Sequence, residues 1–368
     1  MSSQSRHADP VVANLKVSAF VVPTDAPESD STLEWNKTTL VVVEPTAANR
    51  TGIGYTYAST STGHFISEVL AEAVQGRDAF DIPGAWAAMA TRVRNYGRPG
   101  VAAMAMAAVD AALWDLKARL LELPLARLLG MCRDGVPIYG SGGFTSYDDR
   151  QLAQQLGGWV EQGIPQVKMK VGREPERDPH RVEVARRAIG SASKLFVDAN
   201  GAYSRKQSLA LAQRFAQYDV SWFEEPVSSD DLEGLNLIRN RASAGMDIAA
   251  GEYGYRLVYF RRMLEAQAVD VLQADITRCG MTGFLGAAAL CEARSMALSG
   301  HCAPSLHMHA GCALIPMRNV EYFHDHVRIE NMLFDGAIEP KNGVLHPDLS
   351  RPGLGLELKR VDAQRYAA

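Results

Sequence analysis

The sequence lacks the cysteine pattern of a disulfide or zinc framework. Its five cysteines, Cys132, Cys279, Cys291, Cys302 and Cys312, are an odd set with no Cys-x-x-Cys spacing. Reduced thiols in a cytoplasm are the expectation. The chain also lacks the run of about 20 apolar residues that a bilayer span requires. The Ala-rich stretch 101–123 comes nearest, and Asp110, Asp115, Lys117 and Arg119 interrupt it. A basic block is missing too: 38 Lys+Arg stand against 42 Asp+Glu, a formal charge of −4. That leaves no phosphate-tracking stripe and argues against nucleic acid as a partner. Residues 1–10 are polar, without the basic start and apolar core of a secretory signal. What remains is a chain of 368 residues, 47% hydrophobic. Such a chain makes two domains, or one large barrel with an addition.

The first 60 residues predict three antiparallel strands, at 15–22, 38–44 and 52–57, from their alternation and β-branched content. A polar loop at 23–35, rich in Asp, Ser and Pro, separates the first two and is long enough for a functional flap or an irregular crossing. Helical patterns follow at 63–74 and 82–96 and in the Ala/Leu stretch to Leu123. From Val136 onward short apolar runs alternate with amphipathic segments, the βα pattern of a parallel sheet. Eight candidate strands lie at 137–139, 166–171, 195–198, 222–225, 247–250, 271–274, 296–299 and 319–322. The fold class expected is α/β, a TIM-like barrel preceded by an α+β domain, with residues 1–134 as the first domain and 135–331 as the barrel. The Gly- and Pro-rich tail, 332–368, packs back on the first domain.

The polar residues at the C-terminal strand ends are Lys170, Asp198, Glu224, Glu252, Asp275, His301 and Glu321, each separated from the next by one βα unit. In a (β/α)₈ barrel those ends converge on one mouth, where active sites sit. Asp198, Glu224 and Glu252 on three successive strands would repel strongly in a low-dielectric mouth unless neutralised. A divalent cation is the natural counter-charge, and an all-oxygen ligand set favours Mg²⁺ over Zn²⁺. Asn200, two residues on, either orients substrate or forms a turn before Gly201.

Lys168 and Lys170 alternate with Val167, Met169 and Val171, so both ammonium groups point into the barrel. A desolvated lysine near a cation or a second lysine loses its proton more easily, which makes it a candidate base, and one ammonium can neutralise a substrate carboxylate. Asp275 and His301 end adjacent strands, so the carboxylate can hold the imidazole tautomer and stabilise its cation. Glu321 either bonds a substrate oxygen when protonated or pairs with an arginine such as Arg318. Cys302, His307 and His309, with His324 and His326 beyond, have no ligand spacing that favours a zinc centre.

The run AMAAVDAALWDLKARLLELPLARLLG, followed in order by VKMKVG, FVDANGAY, WFEEP, AAGE, LQADITRCGMTG and SGHCAP, resembles the enolase superfamily, in particular its mandelate racemase subgroup. The resemblance spans nearly the whole chain. It implies a (β/α)₇β barrel with an α+β capping domain completed by the C-terminal segment. It also implies Mg²⁺ on Asp198, Glu224 and Glu252, with Glu224 preferred to Glu225. By position, Lys170 becomes the second lysine of the base motif, Asp275 and His301 the opposing dyad, and Glu321 the eighth-strand acid that contacts the substrate carboxylate. Glu252 falls two residues later than an even interval would place it.

The chemistry implied is removal of the proton α to a carboxylate, with Lys170 and His301 on opposite faces of the resulting enediolate. Dehydration of a sugar acid to a 2-keto-3-deoxy acid is favoured, with racemisation, epimerisation or cycloisomerisation as alternatives and a non-catalytic binding barrel as the outlying one. The resemblance makes dehydration common among barrels that keep both bases. The polar segment 23–35, with Tyr55 and Tyr57, suits a hydroxylated ligand. Soluble barrels of this kind self-associate, so a homo-oligomer is expected.

Overall fold

Apolar alternation in the N-terminal segment yields a hairpin of two long strands, Asn14–Ser29 and Glu34–Ala47, with Gly54–Tyr57 added antiparallel to the second. The computed structural model describes residues 10–368; residues 1–9, and with them most of the polar start read for a signal, lie outside the described residues. The hairpin corrects the expected loop at 23–35. Its arms stay extended through that polar stretch, with an irregularity between Pro23 and Glu28. Only a short turn remains, which Asp30 closes by accepting the Thr32 and Leu33 amides at 2.6 and 2.7 Å. Asp, Ser and Pro composition signals a loop when a strand is judged alone. Here the hairpin tip is held by other elements: Thr145 N–H donates to the Ser29 carbonyl at 2.9 Å and the Ser31 hydroxyl to the Ala199 carbonyl at 2.7 Å. Those two partners lie in loops following the first and third barrel strands.

The Ala-rich segment forms the helix Val101–Leu120, buried along most of its length. Small side chains let strand Gly54–Tyr57 approach it so closely that a Cβ on Gly54 would collide with the Ala112 backbone. Asp110 of this helix accepts both the amide and the hydroxyl of Thr282, at 2.8 and 2.6 Å, which seats the first domain on a barrel helix, Ile276–Glu292. The predicted helix at 63–74 is present but widened by a π turn at Ile66–Leu70.

Eight parallel strands close into a barrel: Val136–Gly142, Gln166–Lys170, Lys194–Asp198, Val220–Glu224, Asp247–Ala250, Val271–Ala274, Ala297–Gly300 and Met317–Phe323. The last pairs with the first, Glu321 opposite Tyr139. Each of the first seven is followed by a helix, and the eighth runs into His324–Leu333 and the tail. The fold is therefore a (β/α)₇β barrel with an N-terminal α+β cap. Tyr139, Phe196, Trp222, Ala249 and Val271 form a buried apolar floor inside it. Because side chains alternate along a strand, the residues two beyond Phe196 and Trp222 sit one layer higher on the same face. Those residues are Asp198 and Glu224.

The tail makes several contacts with the first domain. Gly353 exchanges backbone bonds with Leu123 and Leu125, Arg360 pairs with Glu44, and the Ala368 amide donates to the Ala19 carbonyl at 3.0 Å. Helix His324–Leu333 is tied in by Glu330, which accepts from the Tyr55 hydroxyl at 2.6 Å and from the Ser305 amide and hydroxyl at 3.1 and 2.6 Å. Burial pushes the Glu330 carboxyl up from 4.5 to about 7. A carboxyl raised on folding adds stability in acid that is lost as pH climbs from 4.5 through about 7. Glu330→Gln is expected to flatten that loss, so the urea midpoint of the wild type should fall relative to the variant across the window. Parallel curves would refute this.

Candidate active site at the barrel mouth

Parallel register sets Lys170, Asp198 and Glu224 side by side at the ends of strands two, three and four. Glu252 belongs to strand five but lies two residues beyond its end, which explains the uneven interval in the sequence. Gly251 makes the detour possible: its φ is +137°, and a Cβ there would collide with the Gln273 carbonyl. The three acids are buried, and one oxygen from each lies within 4.8 Å of the others. Lys168, wholly buried beneath them, reaches Glu224 at 2.5 Å, Glu321 at 2.8 Å and Asp198 at 3.4 Å. Lys170 Nζ lies 2.5 Å from Asp198 Oδ2.

The charges do not close among these groups alone. Burial, followed by the charge of Asp198, pushes Glu224 up to about 8 despite Lys168. Burial and the charges of Glu252 and Asp198 push Glu225 well above the usual carboxylate range too. Glu225 Oε1 is buried without a hydrogen bond, and Glu252 Oε2 has only the His301 imidazole beside it, at 3.3 Å. Clustered buried carboxylates, a carboxylate oxygen without a donor and an all-oxygen donor set fit a hard divalent cation such as Mg²⁺. Glu225 follows with a left-handed backbone, φ +38°, and is buried beside the same acids.

The second group stands on strands six to eight. His301 Nδ1–H donates to Asp275 Oδ2 at 2.9 Å, and Asp275 Oδ1 accepts the amide and hydroxyl of Thr277, both at 2.7 Å. The dyad is thus held from behind. Burial opposes charge on the imidazole, yet Cys302, Glu252, Glu321 and the Asp275 bond raise it well above the ordinary histidine range. Burial would raise Asp275, but His301 brings it down to about 2. His301 Nε2 faces Glu252 Oε2 at 3.3 Å and Glu321 Oε2 at 3.5 Å.

Several expectations need correction. Burial pulls Lys170 down, but Asp198 more than offsets it, and Glu224 and Glu321 do the same for Lys168. Glu321 is not a protonated donor, since burial is outweighed by Lys168 and His301, which hold it below the usual carboxylate range. Nor does Arg318 reach it; that side chain pairs with Asp247 at 2.7 Å. Tyr55 is not brought to the mouth. It is fully buried, stacked on Phe334, and its hydroxyl is spent on Glu330. Asn200 forms the turn, φ +42°, giving its amide to Asp198 Oδ1 at 2.9 Å, while its own Oδ1 is buried without a partner.

The other candidate histidines are engaged outside the carboxylate cluster. His307 and His309 are spent on backbone groups, Ala303 and Ile276 for the first, Ala126 and Leu354 for the second. His326 stacks on Tyr57 with ring centroids 3.5 Å apart, and His324 meets Asp25 at 3.0 Å. Sequence reasoning missed Arg278, which donates to Glu252 Oε1 at 3.1 Å, and Ser141, which donates to Glu321 Oε1 at 2.5 Å. Arg278 sits three residues after Asp275 on one helix, a spacing that puts both on one face. Ser141 carried no comparable signal.

Comparison with known proteins agrees with this geometry. The mandelate racemase / muconate lactonizing enzyme N-terminal domain profile matches residues 14–130, and the enolase C-terminal domain-like profile matches residues 151–363. A mandelate racemase/muconate lactonizing enzyme-like protein from Rubrobacter xylanophilus superimposes with a TM-score of 0.95 at 55% identity, covering 98% of this chain and 100% of that one. L-talarate/galactarate dehydratase from Salmonella typhimurium is 31% identical over 323 residues, 86% of this chain and 79% of the relative. Its crystal structure liganded with Mg and L-lyxarohydroxamate has a TM-score of 0.91 at 27% identity, covering 100% and 95% of the two chains. A 3,6-anhydro-alpha-L-galactonate cycloisomerase from Streptomyces coelicolor is 34% identical over 281 residues, 74% of this chain and 77% of that protein. The chain belongs to the mandelate racemase / muconate lactonizing enzyme family of the enolase superfamily.

Proposed function

We propose that this chain is a Mg²⁺-dependent dehydratase of sugar acids, aldonic or aldaric, that yields a 2-keto-3-deoxy acid. The observation that carries the proposal is the placement of two proton-handling groups at the two ends of one arc of carboxylates. Lys170 on strand two borders Asp198, and His301 after strand seven borders Glu252. Mg²⁺ held by Asp198, Glu224 and Glu252 would neutralise the second negative charge that develops on the substrate carboxylate when the α-proton leaves.

Lys168 and Glu321 flank the position of that carboxylate, and the buried Asn200 oxygen remains free for a substrate hydroxyl. With Asp198 engaged by Mg²⁺, Lys170 would lose the partner that keeps it charged, release its ammonium proton to solvent and, as the neutral amine, take the α-proton. His301, kept protonated by Asp275, gives its Nε2 proton to the departing β-hydroxyl, which leaves as water. The enol that remains tautomerises to the keto acid, so atoms and protons balance. Residues 1–134 and 332–368 then form the cap and 135–331 the catalytic barrel. The hairpin tip at the mouth is the part of the cap placed to read substrate hydroxyls.

The same residues can serve cycloisomerisation, which the Streptomyces coelicolor relative brings forward. A panel of acyclic aldonic and aldaric acids with Mg²⁺ separates the two. Dehydration gives a semicarbazide-reactive product that requires Lys170. Deuterium exchange at the α-carbon without keto acid would leave an epimerase, and neither signal across the panel would remove the enzymatic reading. Among the described residues no helix is long and apolar enough to cross a membrane. We assign a cytoplasmic location and a homo-oligomeric state, the first from five cysteines without a disulfide and the second from the symmetry preference of soluble enzymes.

A further inference from the structure

We infer that the barrel mouth holds a second metal site, distinct in chemistry from the three carboxylates, formed by His301, Cys302 and Glu321 and selective for a borderline-soft ion such as Zn²⁺. The three donor atoms form a nearly equilateral triangle. Cys302 Sγ lies 3.4 Å from His301 Nε2 and 3.3 Å from Glu321 Oε2, and the latter two are 3.5 Å apart. Zinc bonds of about 2.3 Å to sulfur and about 2.0–2.2 Å to nitrogen and oxygen, set at tetrahedral angles, give edges of roughly 3.4–3.6 Å. The triangle therefore matches one face of a zinc tetrahedron, with a fourth position left for water.

Each donor is also oriented from behind. His301 directs Nε2 toward the triangle because Nδ1–H is committed to Asp275 at 2.9 Å, the carboxylate–histidine arrangement that supports metal ligation. Glu321 has Oε1 occupied by Ser141 and Lys168, which leaves Oε2 facing Cys302 and His301. Cys302 and Ala303 are successive non-glycine residues with positive φ, +54° and +38°. That costly backbone lets the Cys302 amide donate to Glu321 Oε2 at 3.1 Å while the thiol faces the same oxygen. In the sequence, Cys302, His307 and His309 have no zinc-ligand spacing. The fold instead supplies Glu321 from the next strand.

Binding displaces the thiol proton and the Nε2 proton to solvent, and the thiolate gives Zn²⁺ its advantage over Mg²⁺. Inhibition follows from occupation of His301 Nε2, and that consequence alone rests on the proposed role of His301; binding does not. The test uses whole protein with saturating Mg²⁺. Calorimetric titration with Zn²⁺ should show one equivalent that excess Mg²⁺ does not displace, and Co²⁺ should produce a thiolate-to-cobalt absorption band in the near ultraviolet. Cys302→Ser should lose the band and weaken zinc by roughly tenfold to a hundredfold. Absence of the band in the unaltered protein overturns the site, as does zinc inhibition that Mg²⁺ relieves and Cys302→Ser does not alter. Zinc bound without inhibition would keep the site and remove the role of His301.

Discussion

Replacing His301 with asparagine is expected to lower keto-acid formation by about 10²–10⁴-fold, the usual contribution of a positioned general acid, while exchange of the substrate α-proton with deuterium continues. The asymmetry follows from geometry. Lys170 lies beside Asp198 on the opposite flank of the carboxylate arc and makes no contact with His301, so its proton transfer survives. The β-hydroxyl, by contrast, loses the proposed donor, whose protonation is supported by Cys302, Glu252, Glu321 and the bond to Asp275. Asparagine can keep a hydrogen bond to Asp275, which limits collapse of the dyad pocket. Parallel loss of exchange and dehydration would show that His301 is the base and that the two roles must be interchanged. Unchanged dehydration would remove His301 from the chemistry altogether.

Glu224→Gln is expected to move stability and activity in opposite directions. In the absence of Mg²⁺ burial and Asp198 disfavour charge on this carboxyl and push it up to about 8. Its loss should leave the Mg²⁺-free Tm no lower than that of the wild type, because Lys168 retains Asp198 and Glu321 as partners. Added Mg²⁺ should raise the wild-type Tm by a few degrees through mass action, and the variant should not respond. Turnover should fall by about 10³-fold or more, the equivalent of several kcal/mol of transition-state stabilisation. A variant that keeps the Mg²⁺-dependent rise would shift the ligand to Glu225, which is also buried and lacks a partner on Oε1. Thermal melts at matched ionic strength decide the matter before any substrate is known.

How far the sequence carried these conclusions can be judged from single residues. Asp198 and Glu224 were legible because each follows a floor aromatic by two residues on a strand of period two, so their inward direction is set locally. Glu252 was legible as an acid but not in its position, which depends on Gly251 and the close passage of Gln273. The hairpin at 23–35 was misjudged because its strand character comes from contacts with Thr145 and Ala199, more than a hundred residues away. Tyr55 was drawn toward the substrate by proximity to polar sequence, whereas its hydroxyl had a buried partner in Glu330. The alternation of strand Gln166–Lys170 places both lysines but says nothing of their charge. Their protonation depends on which acids pack within a few ångströms, and only the closed barrel decides that.

The bond from Ala368 to Ala19 and the pairing of Arg360 with Glu44 impose an order on biosynthesis. Strand Asn14–Ser29 leaves the ribosome early, yet the segment that covers its open edge is among the later parts to be made. During translation of the entire barrel the hairpin therefore waits with exposed backbone donors and acceptors, a template for wrong pairing between nascent chains. Deleting the tail would leave the barrel strands whole and prolong that vulnerable interval indefinitely, so its cost would appear first as insoluble product.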